Sequence, residues 1–111
     1  DWTIACRNDL AEKTCVIQME ASVDELIDST GDTLKALIEQ APFKPTAFHL
    51  VHCGGRRAAI DARIGEVADQ IKAAAGDIPF IVEFTFGEYG SVSDNNNTCG
   101  GLMLSFTAFG E

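Results

Sequence analysis

Basic residues are scarce in this 111-residue chain: eight Lys and Arg stand against seventeen Asp and Glu, a formal net charge of −9. Nucleic acid and anionic membrane surfaces both require a basic footprint, so neither is an expected partner. The acidic excess bears on solubility more than on fold. Long apolar runs are also missing, and none approaches the roughly 20 residues that span a bilayer. The chain opens Asp1-Trp2, without Met and without the basic-then-apolar start of a signal peptide. These features predict a cytoplasmic protein and a single domain over residues 1–111, cut or processed from a longer chain.

Cysteine is sparse too. Cys6, Cys15, Cys53 and Cys99 lie nine, thirty-eight and forty-six positions apart, which fits no zinc pattern and no disulfide scaffold. A Cys6–Cys15 bridge is conceivable across a hairpin. The reading adopted is reduced thiols in an intracellular protein, with the Asn96-Asn97-Thr98 sequon a chance match. Nothing in the spacing calls for a metal or a cofactor.

What the chain does contain is a regular alternation of strand and helix signals. "WTIACR" and "KTCVIQME" are β-branched runs around the polar "NDLAE", and predict a hairpin. Ser22-Val23-Asp24-Glu25 is a capping box opening a helix whose apolar face runs through Leu26, Ile27, Leu34, Leu37 and Ile38. Gly31 interrupts that face and Pro42 ends it. "TAFHLVHC" (46–53) is apolar on both faces, which suits a central strand. A second helix is predicted from about Gly55 to Ala75, stopped by Gly76 in a left-handed conformation. "PFIVEFTFG" (79–87) and "LMLSFTAF" (102–109) are further strands around a polar, glycine-rich loop. The expected class is α+β, in ββαβαββ order, with a mixed five-stranded sheet packed against two helices.

This order brings two distant stretches together. A helix of about 20 residues, about 30 Å long, returns the chain to the level at which the preceding strand began. The two flanking strands then run parallel, and their carboxyl ends share a rim, where open α/β sheets bind ligands. Cys53-Gly54-Gly55-Arg56-Arg57 should therefore meet Gly87-Glu88-Tyr89. Glycines at a strand-to-helix turn admit a ligand close to the backbone. Arg56 or Arg57 adds a planar fork of donors for a carboxylate or phosphate. Glu88 offers the opposite charge, and a small zwitterion would satisfy both. The plainer alternative is that Glu88 and an arginine pair with each other.

Taken in order, "LVHCGGRRAAI", "PFIVEFTFGEYG" and an Asn/Thr-rich loop before a last apolar strand resemble the FIST C-terminal domain. Cys53, Gly55 and Arg56 match the family's C-x-G-R element, Gly87 and Glu88 its G-E, and Asn96 with Thr98 its N-x-T. The resemblance covers roughly residues 46–109, with weaker similarity back through the hairpin. It implies a non-catalytic sensory domain of intracellular signalling proteins that binds small ligands such as amino acids. It also implies an N-terminal FIST domain ahead of this one and output modules beyond it. Without such neighbours the sheet would expose an edge, through which the chain could form a homodimer.

A catalytic reading would use Cys53 as nucleophile with His52 or His49 as base. Adjacent strand residues face opposite ways, which separates His52 from Cys53, and His49 lies about 13 Å back along the strand. No third group is evident to orient either histidine, so no enzyme is expected. The remaining alternative is a protein–protein interaction module without a small ligand. Phe84 and Phe86 read as core, and Tyr89 as a rim or surface residue.

Overall fold

The computed structural model describes residues 9–91 and 97–111. The first half of the expected hairpin lies largely outside them. Residues 14–22 do not form its second half: they run without regular secondary structure. Val16, Ile17 and Met19 are exposed there, so the β-branched run has no sheet partner among the described residues.

Helix α1 (Val23–Gln40) begins at Ser22 as the capping box requires. The Glu25 N–H donates to the Ser22 hydroxyl at 3.2 Å, and the Ser22 N–H donates to the Glu25 carboxylate at 2.7 Å. That backbone N–H holds the Glu25 carboxyl below its usual range, with the Ser22 hydroxyl adding to the effect. The helix runs unbroken through Gly31, which is buried. A Cβ at Gly31 would stand 2.7 Å from the Gln70 side-chain oxygen, so glycine lets the neighbouring helix approach.

Strand β1 (Pro45–Cys53) is central, as its apolar character predicts. It is followed by α2 (Gly54–Ile60), a 3-10 turn over Asp61–Arg63, and α3 (Ile64–Ala75). The expected single helix is thus divided. Asp61 takes a φ of +51°, which ends α2, although the apolar spacing at Ile60, Ile64, Val67 and Ile71 continues across the break. Gly76 closes α3 at φ +61°, the conformation glycine adopts without steric cost. Strand β2 (Phe80–Thr85) pairs parallel with β1, and β5 (Leu104–Gly110) pairs antiparallel on its other side. The polar stretch between them is a hairpin, β3 (Glu88–Ser91) with β4 (Asn97–Gly100).

The five described strands therefore do not form the one expected sheet. They form a three-stranded sheet in the order β2-β1-β5 and a separate two-stranded one. The β3–β4 pairing escaped the sequence reading because an Asn/Gly/Ser-rich stretch carries no apolar alternation. The helices cover one face of the three-stranded sheet. Phe48 and Leu50 of β1 meet Leu26, Ile27 and Leu34 of α1, and Val67 and Ile71 of α3, in one continuous apolar core. On the other face, Ile81 and Phe109 are exposed and His49 lies 3.2 Å from Glu83. No described helix is long and apolar enough to cross a membrane.

Candidate functional site

The parallel pairing does bring the two predicted stretches to one rim. His52 pairs with Phe84 and Cys53 with Thr85, so β1 and β2 end on adjacent rungs. Beyond them the turns touch: the Phe86 ring occupies the space over Gly54, where a Cβ would lie 2.7 Å from Cζ. Gly54 thus leaves room for the Phe86 ring, which is itself largely exposed. Gly55 is less constrained, with Leu102 Cδ2 3.4 Å and Cys53 Sγ 3.5 Å from a modest added methyl. Gly87 takes a φ of +87°, and the Tyr89 ring lies against it.

The two arginines part company. Arg56 is only 6 % exposed, and its guanidinium is engaged inside the protein. Nη2 donates to the Leu26 carbonyl and the Ser29 hydroxyl of α1, and Nη1 donates to the Leu102 carbonyl at 3.2 Å. Burial lowers the Arg56 pKa from its ordinary value. These partners are mostly main-chain oxygens, which no side-chain motif announces. Arg57 is exposed, with its guanidinium carbon 5.6 Å from the centre of the Phe84 ring.

Phe84 joins the two layers. Its ring also meets His52 edge to face, with centroids 5.3 Å apart and planes at 68°. Contrary to the expectation of core, Phe84 is 44 % exposed and Phe86 88 %. The reason is topological: β2 is an edge strand, and Phe86 lies past its end. Tyr89 is exposed on β3 and its backbone pairs with Cys99.

His52 is fully buried. Its Nδ1 lies 3.1 Å from the Cys53 carbonyl oxygen. Burial pushes its pKa down, the backbone bond to Cys53 raises it, and the Arg56 charge lowers it further. Among the described residues three buried side-chain polar atoms lack a hydrogen-bond partner: His52 Nε2, Arg56 Nε and Thr85 Oγ1. All three belong to the last two rungs of β1–β2 or the first turn of α2. Buried polar groups are rarely left unpaired, so their concentration at this rim marks it chemically. Sequence reading passed over Thr85, and took His52 for an ordinary strand residue.

Of the other predicted residues, Cys53 is a buried free thiol and Cys15 an exposed one. Cys6 and Asn96 lie outside the described residues, as do the side chains of Glu88, Thr98 and Cys99. Backbone pairing puts Glu88 opposite Gly100, and Thr98 opposite Gly90, on the hairpin that follows β2. Among the described residues no group of His, Cys, Asp and Glu could hold a metal ion.

Comparison with protein families finds the FIST C domain, matched over residues 1–91. The matched span includes Cys53, Gly55, Arg56, Gly87 and Glu88, and stops short of Asn96 and Thr98. It reaches back through the N-terminal residues, where the resemblance was weaker. Comparison with curated proteins and with solved structures finds no match.

Proposed function

The chain belongs to the FIST C domain family, which points to a signalling-related sensory role, and from that premise we propose a non-catalytic domain that binds a small amino acid or carboxylate where β1 and β2 end. The observation carrying this reading is the set of three unpartnered buried polar atoms, His52 Nε2, Arg56 Nε and Thr85 Oγ1, at that rim. Buried polar atoms left unpaired in this way call for a partner, and a bound ligand would be one. Arg57, exposed over Phe84, is the guanidinium available to an anionic group, and Glu88 would receive an ammonium. Cys53, Gly54, Gly55, Gly87 and Tyr89 would frame the site. Arg56 would shape the site from beneath.

A non-catalytic role fits the placement of the histidines. The His52 Nδ1 is taken by a backbone carbonyl, and His49 sits beside Glu83 on the open face. In this reading the domain is cytoplasmic and works beside an N-terminal FIST domain and output modules. The test is a thermal-shift screen of amino acids and small carboxylates against the chain, Arg57→Ala and Glu88→Gln. A ligand that binds the native state raises the melting temperature by mass action. A rise lost in Arg57→Ala, with the unliganded melting temperature unchanged, is expected; no rise with any compound overturns the reading.

One observation favours a second reading, self-association. Val16, Ile17 and Met19 are exposed in a segment with strand composition, while β2 and β5 lie at the two edges of the described three-stranded sheet. A second copy of the chain could pair along such an edge.

A further inference from the structure

The outer edge of β2 has a defined hydrogen-bonding pattern. The Phe48 N–H of β1 donates to the Pro79 carbonyl at 3.0 Å, so the odd-numbered residues of this stretch turn their backbone groups inward to β1. The side alternates from one residue to the next along a strand. Phe80, Val82 and Phe84 therefore turn three N–H and three C=O groups outward, where no strand pairs with them among the described residues.

This edge lacks the usual protection against pairing. Phe80–Thr85 contains neither Lys nor Pro, and its register with β1 runs without a bulge. It is apolar and exposed on both faces: Ile81 lies on the uncovered face of the sheet, and Phe84 is half-buried on the helix face. The opposite edge, β5, is broken by a register shift at Pro45/Ala47, and sets the exposed Ser105 and Thr107 beside Phe109.

We propose that a second copy of this chain occupies the β2 edge, with the two β2 strands antiparallel about a two-fold axis at Val82. The proposal rests on the self-association reading above, and names its surface and register. A two-fold axis normal to the sheet keeps helix face with helix face, so odd-numbered residues must oppose odd-numbered ones. Centred on Val82, the hydrogen-bonded pairs are Val82 with Val82 and Phe80 with Phe84, and every outward N–H and C=O of both copies finds a partner. Centred on Glu83, two carboxylates would face each other at a close, non-hydrogen-bonded position. Centred on Ile81, Phe84 would need the Ile78 N–H, which already donates to the Ala75 carbonyl at 3.3 Å. The Val82 register instead lays Phe80 against the exposed Phe84 ring on the helix face, an aromatic cross-strand pair. On the other face it sets Ile81 opposite Glu83, whose carboxylate already lies 3.2 Å from His49. The two three-stranded sheets become one.

The experiment is oxidative cross-linking of the full chain, with sedimentation at low micromolar concentration beside it. In this register Ile81 and the second copy's Glu83 form a non-hydrogen-bonded pair, with Cα atoms about 4.5 Å apart, within the span of a disulfide. Like positions, Ile81 with Ile81 or Glu83 with Glu83, are two residues out of step and beyond that span. A mixture of Ile81→Cys and Glu83→Cys chains should therefore give the 81–83 cross-linked peptide, read by mass spectrometry, in excess of either like cross-link. Ile81→Asp sets a carboxylate opposite Glu83 twice, and should weaken the dimer about tenfold with helix content unchanged. A monomeric unaltered chain overturns both the proposal and the self-association it rests on. A dimer that survives Ile81→Asp at full strength, or that cross-links at like positions in preference to 81–83, overturns the proposal and leaves self-association through another surface or register. Should Ile81→Asp fail to fold, the cross-linking pattern of the cysteine variants decides.

Discussion

Arg56 donates through Nη2 to the main-chain carbonyl of Leu26, and so ties the turn after β1 to the first turn of α1, thirty residues earlier. The same guanidinium reaches Ser29 on α1 and the Leu102 carbonyl ahead of β5. Three segments distant in sequence converge on one side chain. Leu102 itself holds a φ of +56°, unusual for a residue with a branched side chain, and its carbonyl is kept in place by the arginine.

Arg56→Ala should therefore act on stability first. Hydrogen bonds to charged groups contribute about 1.5–3 kcal/mol each, and their loss leaves buried oxygens unpaired. The variant should unfold about 3 kcal/mol more easily in urea. Arg56→Lys should recover only part of this, because an ammonium cannot span acceptors on two segments as the planar fork does. A substitution to Ala that left stability unchanged would mean the arginine is not a tie.

The arginine pair shows how far the sequence could be read. The Ser22–Glu25 box, the Gly76 stop, the central place of β1 and its parallel pairing with β2 were all legible, because each rests on local side-chain chemistry or on the length of a connecting helix. The separate roles of Arg56 and Arg57 were not. Both stand at the same strand-to-helix turn, and the partners that bury one of them are the Leu26 and Leu102 carbonyls, which every residue possesses. The kink at Asp61 was hidden for a related reason, since helical spacing of apolar residues survives a change of direction. The β3–β4 hairpin was hidden by its composition, an Asn/Gly/Ser-rich stretch with no apolar alternation.

His52 gives the protein a pH dependence with a definite sign. Its folded pKa lies below the ordinary 6.5, chiefly through burial. Below pH 6.5 the unfolded chain binds a proton that the folded chain refuses, so the unfolded state gains. The stability that His52 confers is fully present above pH 6.5 and lost as the pH falls from there through the folded value. Glu25 adds a second loss, below its ordinary 4.5, as the capping carboxylate takes up its proton. Urea midpoints from pH 8 to pH 4 should fall in these two windows, and His52→Asn should flatten the upper one alone. A midpoint constant from pH 7 to pH 5 would contradict the buried neutral imidazole.

The rim glycines should rank by geometry. Gly87→Ala places a side chain at φ +87° and against the Tyr89 ring, and should cost about 1 kcal/mol or more. Gly54→Ala meets the Phe86 ring at 2.7 Å, but that ring is largely exposed and can swing away at smaller cost. Gly55→Ala makes only ordinary contacts and, within a helix, should be neutral or slightly stabilising. Thermal melts of the three variants give the order directly; a Gly55 variant weaker than the Gly87 one would show that the turn is packed otherwise.

The exposed apolar run allows stability and association to be separated. Ile17 is 82 % exposed and Ile81 63 %, so Ile17→Asp and Ile81→Asp should each leave the unfolding free energy within about 0.5 kcal/mol. If a second copy pairs through this segment and the β2 edge, a charge placed there must be desolvated or set against the like charge of the symmetry-related chain. Sedimentation at low micromolar concentration should then show a dimer for the unaltered chain and a monomer for both variants. Ligand shifts at the rim should persist in them, because Arg57, His52 and Arg56 are untouched. Dimers that survive both substitutions would move the contact elsewhere, and a monomeric unaltered chain would rule out self-association through this segment.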